Sequence, residues 1–271
     1  MLVGIDGKLF IGFRQSIIII PPFRPRQFLS GFIIYGEKTM PKKLIDVVYV
    51  LKPDIETDEL KYSLRSVEKN FPCRKVWFVG AKPEGLTPDA MLSHRQEGNS
   101  KWNLIKSSMW EVIRCSDITD DFFWFNDDFF VMKPIDTKKF VNFVDGTLER
   151  RINELHHENG FSPYTRTLYK AQQELMTLRC PTMNFDVHLP MLFNKEMAAH
   201  SIGRCSSPQM RSVYGNINHI EYTVHPDVKV YDLESVPDYD YLSTNDETFK
   251  KGKVGEFIRE TFTEPSRFEV S

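Results

Sequence analysis

The chain is poor in cysteine, in net charge and in long apolar runs. Four cysteines, Cys73, Cys115, Cys180 and Cys205, stand in 271 residues. No two form a CxxC pair, which argues against a zinc site. Their wide spread fits free thiols in a reducing compartment better than a disulfide framework. The formal net charge is −2, so no global basic field favours nucleic acid. The apolar run at 17–20 is too short to span a bilayer. Residues 1–39 also lack the basic, apolar and small-residue order of a signal peptide. There is no internal repeat and no low-complexity tract.

What is present suits a globular chain with a sizeable core. Hydrophobic residues make up 41% and charged residues 27%, ordinary for such a protein. Residues 1–39, with the PPFRPR stretch, read as a poorly structured extension, and Met40 reads as a natural start. A membrane-surface segment is the alternative for that extension. Residues 40–271 then form one catalytic domain, with an α/β part at 40–145 and a mostly helical part at 146–271.

LIDVVYVL at 44–51 is a nearly continuous, β-branched apolar run, the pattern of a buried parallel strand. In DELKYSLRSVEKNF, Leu60, Leu64, Val67 and Phe71 recur at helical spacing. Thr57 or Asp58 is placed to cap that helix, and Pro72 stops it. KVWFVG supplies a second strand, and the strand–helix–strand order implies a parallel sheet. A helix at 101–115 follows, with Trp102, Ile105, Met109, Val112 and Ile113 inward. The all-apolar stretch at 122–125 is a central strand covered on both faces. Helices are expected at 148–159 and 164–178, in HLPMLFNKEMAAH and in SSPQMRSVYGNI. Residues 220–233 alternate as one or two strands. KVGEFIRETF is a last helix, with Val254, Phe257, Ile258 and Phe262 on one face.

Asn126, Asp127 and Asp128 follow the central strand. Taken alone, Asn-Asp-Asp is a turn signal. In an open α/β sheet, however, ligands bind beyond the carboxyl ends of the strands. Two adjacent carboxylates there repel unless a cation or a shared proton relieves them, and an oxygen-liganded divalent metal is the natural partner.

These motifs are similar to those of the Stealth family, which includes bacterial capsular polysaccharide phosphotransferases and the animal GlcNAc-1-phosphotransferase. IDVVYVLKPD resembles the first of four family regions. DELKYSLRSVEKNF and FFWFNDDFFVMKP resemble the second. HLPMLFNKE and RCSSPQMRS resemble the third, and STNDETF with EPSRFE the fourth. The match covers about 44–269 in family order. GNSKWNLIKSSMWEV at 98–112, with the NDDFF strand end, is also similar to phage-encoded glycosyltransferase-like proteins. The chain departs from the Stealth pattern in the helix before NDD. There the family carries an acidic residue, and Ser108 or Met109 falls at that place, with Glu111 nearby on another face.

The resemblance implies a GT-A-like, nucleotide-sugar-transferase fold and transfer of a sugar-1-phosphate from a nucleotide sugar, UDP-linked, to a glycan or polysaccharide hydroxyl. It implies Mg²⁺ or Mn²⁺ held by Asp127, Asp128 and Asp246. Asp128 matches the family's catalytic carboxylate. His188 is the candidate general base, since imidazole titrates near working pH, and Arg204 is the candidate phosphate clamp, with Arg211 next in line. Arg166 is a weaker phosphate contact, weighed against a surface role. Lys101 and Asn103 are candidate nucleotide contacts at a helix N-terminus, and Asp46 a base or ribose contact. His156 and His157 are read as a solvated helix face. Two rival functions stay open: a GT-A glycosyltransferase releasing UDP, and a non-catalytic nucleotide-sugar-binding module. The expected location is cytoplasmic, with peripheral membrane association an option where glycans are built.

Overall fold

The computed structural model describes residues 44–52, 57–93 and 101–270, and of residues 57, 101–103 and 159 the backbone alone. The chain divides between Met40 and Pro41, and every element below belongs to the second part. The expectation of a poorly structured stretch at 1–39 lies outside the described residues.

The architecture is mixed α/β. Strands β1 (Asp46–Leu51), β2 (Val76–Gly80), β3 (Ala90–Leu92) and β4 (Asp121–Phe125) run parallel. Helix α1 (Thr57–Asn70) joins β1 to β2, and α2 (Lys101–Arg114) joins β3 to β4. The sheet order is β3-β2-β1-β4-β7, with β7 (Met191–Asn194) added antiparallel at the β4 edge. One antiparallel edge strand on a parallel sheet is common in such folds.

The pleat explains the two layers of helix. Val47, Tyr49, Leu51, Phe123 and Phe125 pack on the side of Leu60, Leu64, Val67 and Phe71 of α1. Val48, Phe122 and Trp124 pack on the opposite side with Met109 and Val112 of α2. Successive strand side chains point to opposite faces, so strands this apolar need a helix on each side. Burying each of these side chains contributes about 1.5–3 kcal/mol. Helix α1 begins at Thr57, so Thr57 and Asp58 are its first helical residues rather than its cap.

The chain leaves the sheet at the acidic turn. Residues 126–128 turn into β5 (Phe129–Val131), which pairs antiparallel with β9 (Tyr241–Ser243). Next come β6 (Asn142–Val144), paired with β8 (Tyr222–Val224), and helices α3 (Leu148–Asn159) and α4 (Pro163–Thr177). Thr147 and Ser162 cap those two helices. HLPMLFNKEMAAH is not one helix. Its middle is β7, and α5 (Lys195–Arg204) starts where the Asn194 side chain accepts the backbone N–H groups of Glu196 and Met197. Helix α6 (Met210–Ile217) is the helical portion of SSPQMRSVYGNI.

The chain ends with α7 (Asp246–Lys251) and α8 (Lys253–Thr261). Val254, Ile258 and Phe262 are buried as expected, but Phe257 is 40% exposed. The stretch 220–233, expected as one or two strands, forms β8 at Tyr222–Val224, and residues 225–240 carry no helix. Pro226 and Pro237 lie in that stretch, and Val228 and Val230 alternate into the core.

Candidate functional site

In the order β3-β2-β1-β4, the chain builds outward from β1 in one direction and then returns to its other side. A crevice opens at such a switch point, beyond the carboxyl ends of the two central strands. The Asn126–Asp127–Asp128 turn sits there, directly after β4. The motif is therefore both a turn and the end of a central strand.

Asp128 is tightly held. Its Oδ2 accepts from Lys229 Nζ at 2.8 Å and from Ser243 Oγ at 3.3 Å. Its Oδ1 is buried with no hydrogen-bond partner among the described residues. Burial pushes the Asp127 carboxyl up to about 6, the Asp128 charge adds to that, and Lys52 and Lys229 pull it back.

Glu59, in the first turn of α1, joins this group. Its Oε1 accepts from Thr244 Oγ1 at 2.7 Å. Burial pushes the Glu59 carboxyl up to about 7; the Thr244 bond opposes this, and the charges of Asp128, Asp127 and Asp246 reinforce it. A carboxyl whose folded pKa lies above its unfolded one binds more protons when folded, so stability falls as pH rises through that interval. Glu59→Gln removes the penalty. The variant is expected to melt at a higher temperature than the parent at pH 8, with the gap closing at pH 4. A constant gap across that range would refute the assignment.

The carboxylates fit a hard divalent cation in donor type and charge. Among the described residues, no three His, Cys, Asp or Glu side chains form a metal-holding group. Magnesium commonly takes one or two carboxylates and fills its shell with water and substrate phosphates. Asp127 and the free Oδ1 of Asp128 suit that partial role. Asp246 is exposed at the start of α7 and reaches the group through its field on Glu59. Its neighbour Asn245 is the α7 cap, in a capping box with Thr248.

A cleft of about 490 Å³ runs from Asn126 along the α2 face of the sheet. Met109, Trp124 and Phe193 contribute apolar wall; His188, Arg211, Arg151, Tyr164 and Tyr231 contribute polar groups. The size and the mixture are those of a small-molecule site.

His188 is oriented by Asp227. Asp227 Oδ2 lies 2.7 Å from His188 Nδ1, and Oδ1 accepts the His188 backbone N–H at 3.0 Å. An Nδ1–H bonded to a carboxylate leaves Nε2 as the accepting nitrogen. Burial tends to raise the Asp227 carboxyl, but the His188 hydrogen bond and charge outweigh it and hold it at about 2.

Arg211 stands in the first turn of α6 with its guanidinium carbon 5.4 Å from the Phe129 ring centre. Its Nη1 donates to the carbonyls of Val187 (2.9 Å) and Leu189 (2.6 Å). Its Nη2 is buried without a partner among the described residues. Burial lowers this guanidinium to about 10, against the carboxylates of Asp186, Asp128 and Asp227. Asp186 bonds Ser212 on the next residue of α6, and burial raises its carboxyl. Gly215 permits this approach: a Cβ there would meet the Phe185 ring at 2.5 Å.

The fold thus brings Asp127, Asp128, His188 and Arg211 to one end of the sheet. Other expected residues go elsewhere. Asp46 opens β1 at the amino end, where Arg74 (2.7 Å from Nε), Trp77 Nε1 (3.0 Å) and the Thr119 N–H (3.1 Å) engage its carboxylate. That carboxylate is buried and structural, so the base or ribose contact expected of it is corrected. Arg204 is exposed in the last turn of α5, 3.5 Å from His200 Nε2, whereas Arg211 lines the cleft. Arg166 is exposed on α4 and donates to the Phe161 carbonyl at 3.2 Å. Lys101 and Asn103 are in the first turn of α2; their side chains lie outside the described residues. Ser108 is buried and Met109 lines the cleft, while Glu111 faces Arg114 at 3.6 Å. His156 and His157 are exposed.

Sequence reading missed Glu59, Asp186, Asp227, Lys229 and Ser243. The signal for two of them lies in DVKVY. Val228 and Val230 are buried, so Asp227, Lys229 and Tyr231 share the other side of one extended segment. No helix among the described residues is long and apolar enough to cross a membrane. The chain matches no protein-family model, and no curated protein matches it in sequence.

Proposed function

We propose that this chain transfers a sugar-1-phosphate from a nucleotide sugar, UDP-linked, to a hydroxyl of a glycan or polysaccharide, with Mg²⁺ or Mn²⁺, as its resemblance to the Stealth family implies. One observation carries the reading. An acidic turn, a His–Asp pair and a buried arginine with a free N–H meet at the switch point of a mostly parallel sheet. That sheet is compatible with the Rossmann-like core of a GT-A-like nucleotide-sugar enzyme.

His188 Nε2 takes the proton of the acceptor hydroxyl, and Asp227 keeps the ring in the required tautomer and stabilises the charge that develops. Arg211 Nη2 donates to a phosphate oxygen, which meets its unmet hydrogen bond and holds the phosphorus in line. Asp127 and Asp128 Oδ1 would hold the divalent ion, which when bound neutralises charge on the diphosphate. The bond formed joins acceptor oxygen to phosphorus, and the bond broken releases the nucleoside monophosphate.

A second reading has its own support. Helix α2 presents buried Ser108 and cleft-lining Met109 where the family carries an acid, and Glu111 faces Arg114. A glycosyltransferase needs no acid there, and it breaks the sugar–oxygen bond. The test is ³¹P NMR of the full chain with nucleotide sugars, Mg²⁺ or Mn²⁺ and glycan acceptors. UMP with a new phosphodiester is expected. UDP with a new glycosidic bond would establish the second reading. Metal-dependent nucleotide-sugar binding with no product would indicate a binding module.

A further inference from the structure

One ammonium is held directly against the acidic turn. Lys229 Nζ sits 2.8 Å from Asp128 Oδ2, and each side chain is only 14% exposed. Asp127 and Glu59 press on the same region with like charge. Exposed Lys52 also pulls on Asp127.

The backbone that presents Lys229 is laced in place. Ser243 N–H donates to the Val228 carbonyl at 3.2 Å, and Val230 N–H to the Ser243 carbonyl at 2.8 Å. Val228 and Val230 anchor it in the core. The side chain is another matter: a lysine stem has four flexible carbons. Its head can change partners while the strand stays.

We propose that Lys229 is the protein's own counter-cation for Asp128, displaced when a divalent ion binds and then free to hold a phosphate oxygen of the substrate. The proposal rests on the reading above. Asp128 Oδ1 is the buried oxygen without a partner among the described residues, and Oδ2 is the one Lys229 occupies. A divalent ion at Oδ1 repels an ammonium at Oδ2 of the same carboxylate, with little water between them to screen it. The ammonium carries three donors and no acceptor. Once expelled beside a diphosphate, it finds its new partners in the phosphate oxygens. Without the metal, the pair keeps Asp128 from standing buried and uncompensated.

The test compares the full chain with Lys229→Met, which keeps an apolar stem and removes the competing charge. Free Mn²⁺ is followed by electron paramagnetic resonance. The variant is expected to bind Mn²⁺ about tenfold tighter or more, since a unit charge at ion-pair distance no longer opposes the ion. With Mn²⁺ present it is also expected to bind inorganic pyrophosphate about tenfold more weakly, for want of the ammonium. Equal or weaker Mn²⁺ affinity in the variant overturns the proposal, as does an unmutated chain with no saturable Mn²⁺ site.

A second measurement needs no mutation. Acetylation of Lys229 by a mild acylating reagent, read by mass spectrometry, should speed up with Mg²⁺ and slow again when pyrophosphate is added. A rate indifferent to Mg²⁺ overturns the proposal. Failure of the transferase reading shows instead as no transfer product from any nucleotide sugar, with the Mn²⁺ and labelling results intact.

Discussion

Asp128→Asn is expected to reduce sugar-phosphate transfer by on the order of a hundredfold to a thousandfold, the range for removing one preorganised charge from a reacting centre. The same change is expected to cost the fold about 1.5–3 kcal/mol, because Lys229 loses a charged hydrogen-bond partner in a site where both side chains are mostly buried. Asn keeps an oxygen for the ammonium but no charge. The two effects separate experimentally. Steady-state rates are measured at a temperature well below the lower melting point, and thermal melts report the stability loss. A variant that melts lower yet turns over normally would remove Asp128 from the chemistry and leave it a structural counterion. Loss of turnover with an unchanged melt would mean that Lys229 finds another partner at no cost.

His188→Ala is expected to lower kcat by about a hundredfold to ten-thousandfold, the usual span for a lost general base, with little change in donor binding. Asp227→Asn tests the pair from its other side and gives a pH-dependent signature. The Asp227 carboxyl has an ordinary value of 3.8 and is held at about 2 in the fold. A carboxyl depressed on folding stabilises the protein above its unfolded pKa, and that stability is lost as pH falls through the folded pKa. Asp227 therefore contributes about 2 kcal/mol at neutral pH, lost between about pH 4 and pH 2. The parent should show this loss in acid denaturation and Asp227→Asn should not. An identical acid profile in parent and variant would refute the His188–Asp227 pairing. Normal turnover in His188→Ala would leave the pair intact but assign the proton to another group.

The acidic turn shows why some of the site was legible and some was not. Asp127 and Asp128 follow a strand whose residues 122–125 are all apolar, so strand, strand end and charge are all written in nine consecutive residues. His188 was readable only from the motif around it. Its partner Asp227 is 39 positions away, and no local rule joins them. Arg211 and Arg204 look alike in sequence. They differ because α5 ends at the surface with Arg204, while α6 starts at the cleft with Arg211. The helix expected over HLPMLFNKEMAAH failed for a related reason. Its apolar run is short enough for either element, and pairing with β4 made the middle a strand.

From its sequence alone, this chain determines β1, α1, β2, α2 and β4 of its α/β half, whereas the short, half-buried β3 carries no such signal. Leu60, Leu64, Val67 and Phe71 specify one face of α1, and the uninterrupted apolar runs specify strands buried on both sides. These are local periodicities, and neighbours along the chain suffice to set them. Only the tertiary structure decided which charges meet. The addition of β4 beside β1 put Asp128 at a switch point. The return of the chain through 227–230 brought Asp227 to His188 and Lys229 to Asp128, the latter across 101 positions. Charge pairing at such separations depends on where strands dock and which way they run, and no periodicity in the sequence carries that information.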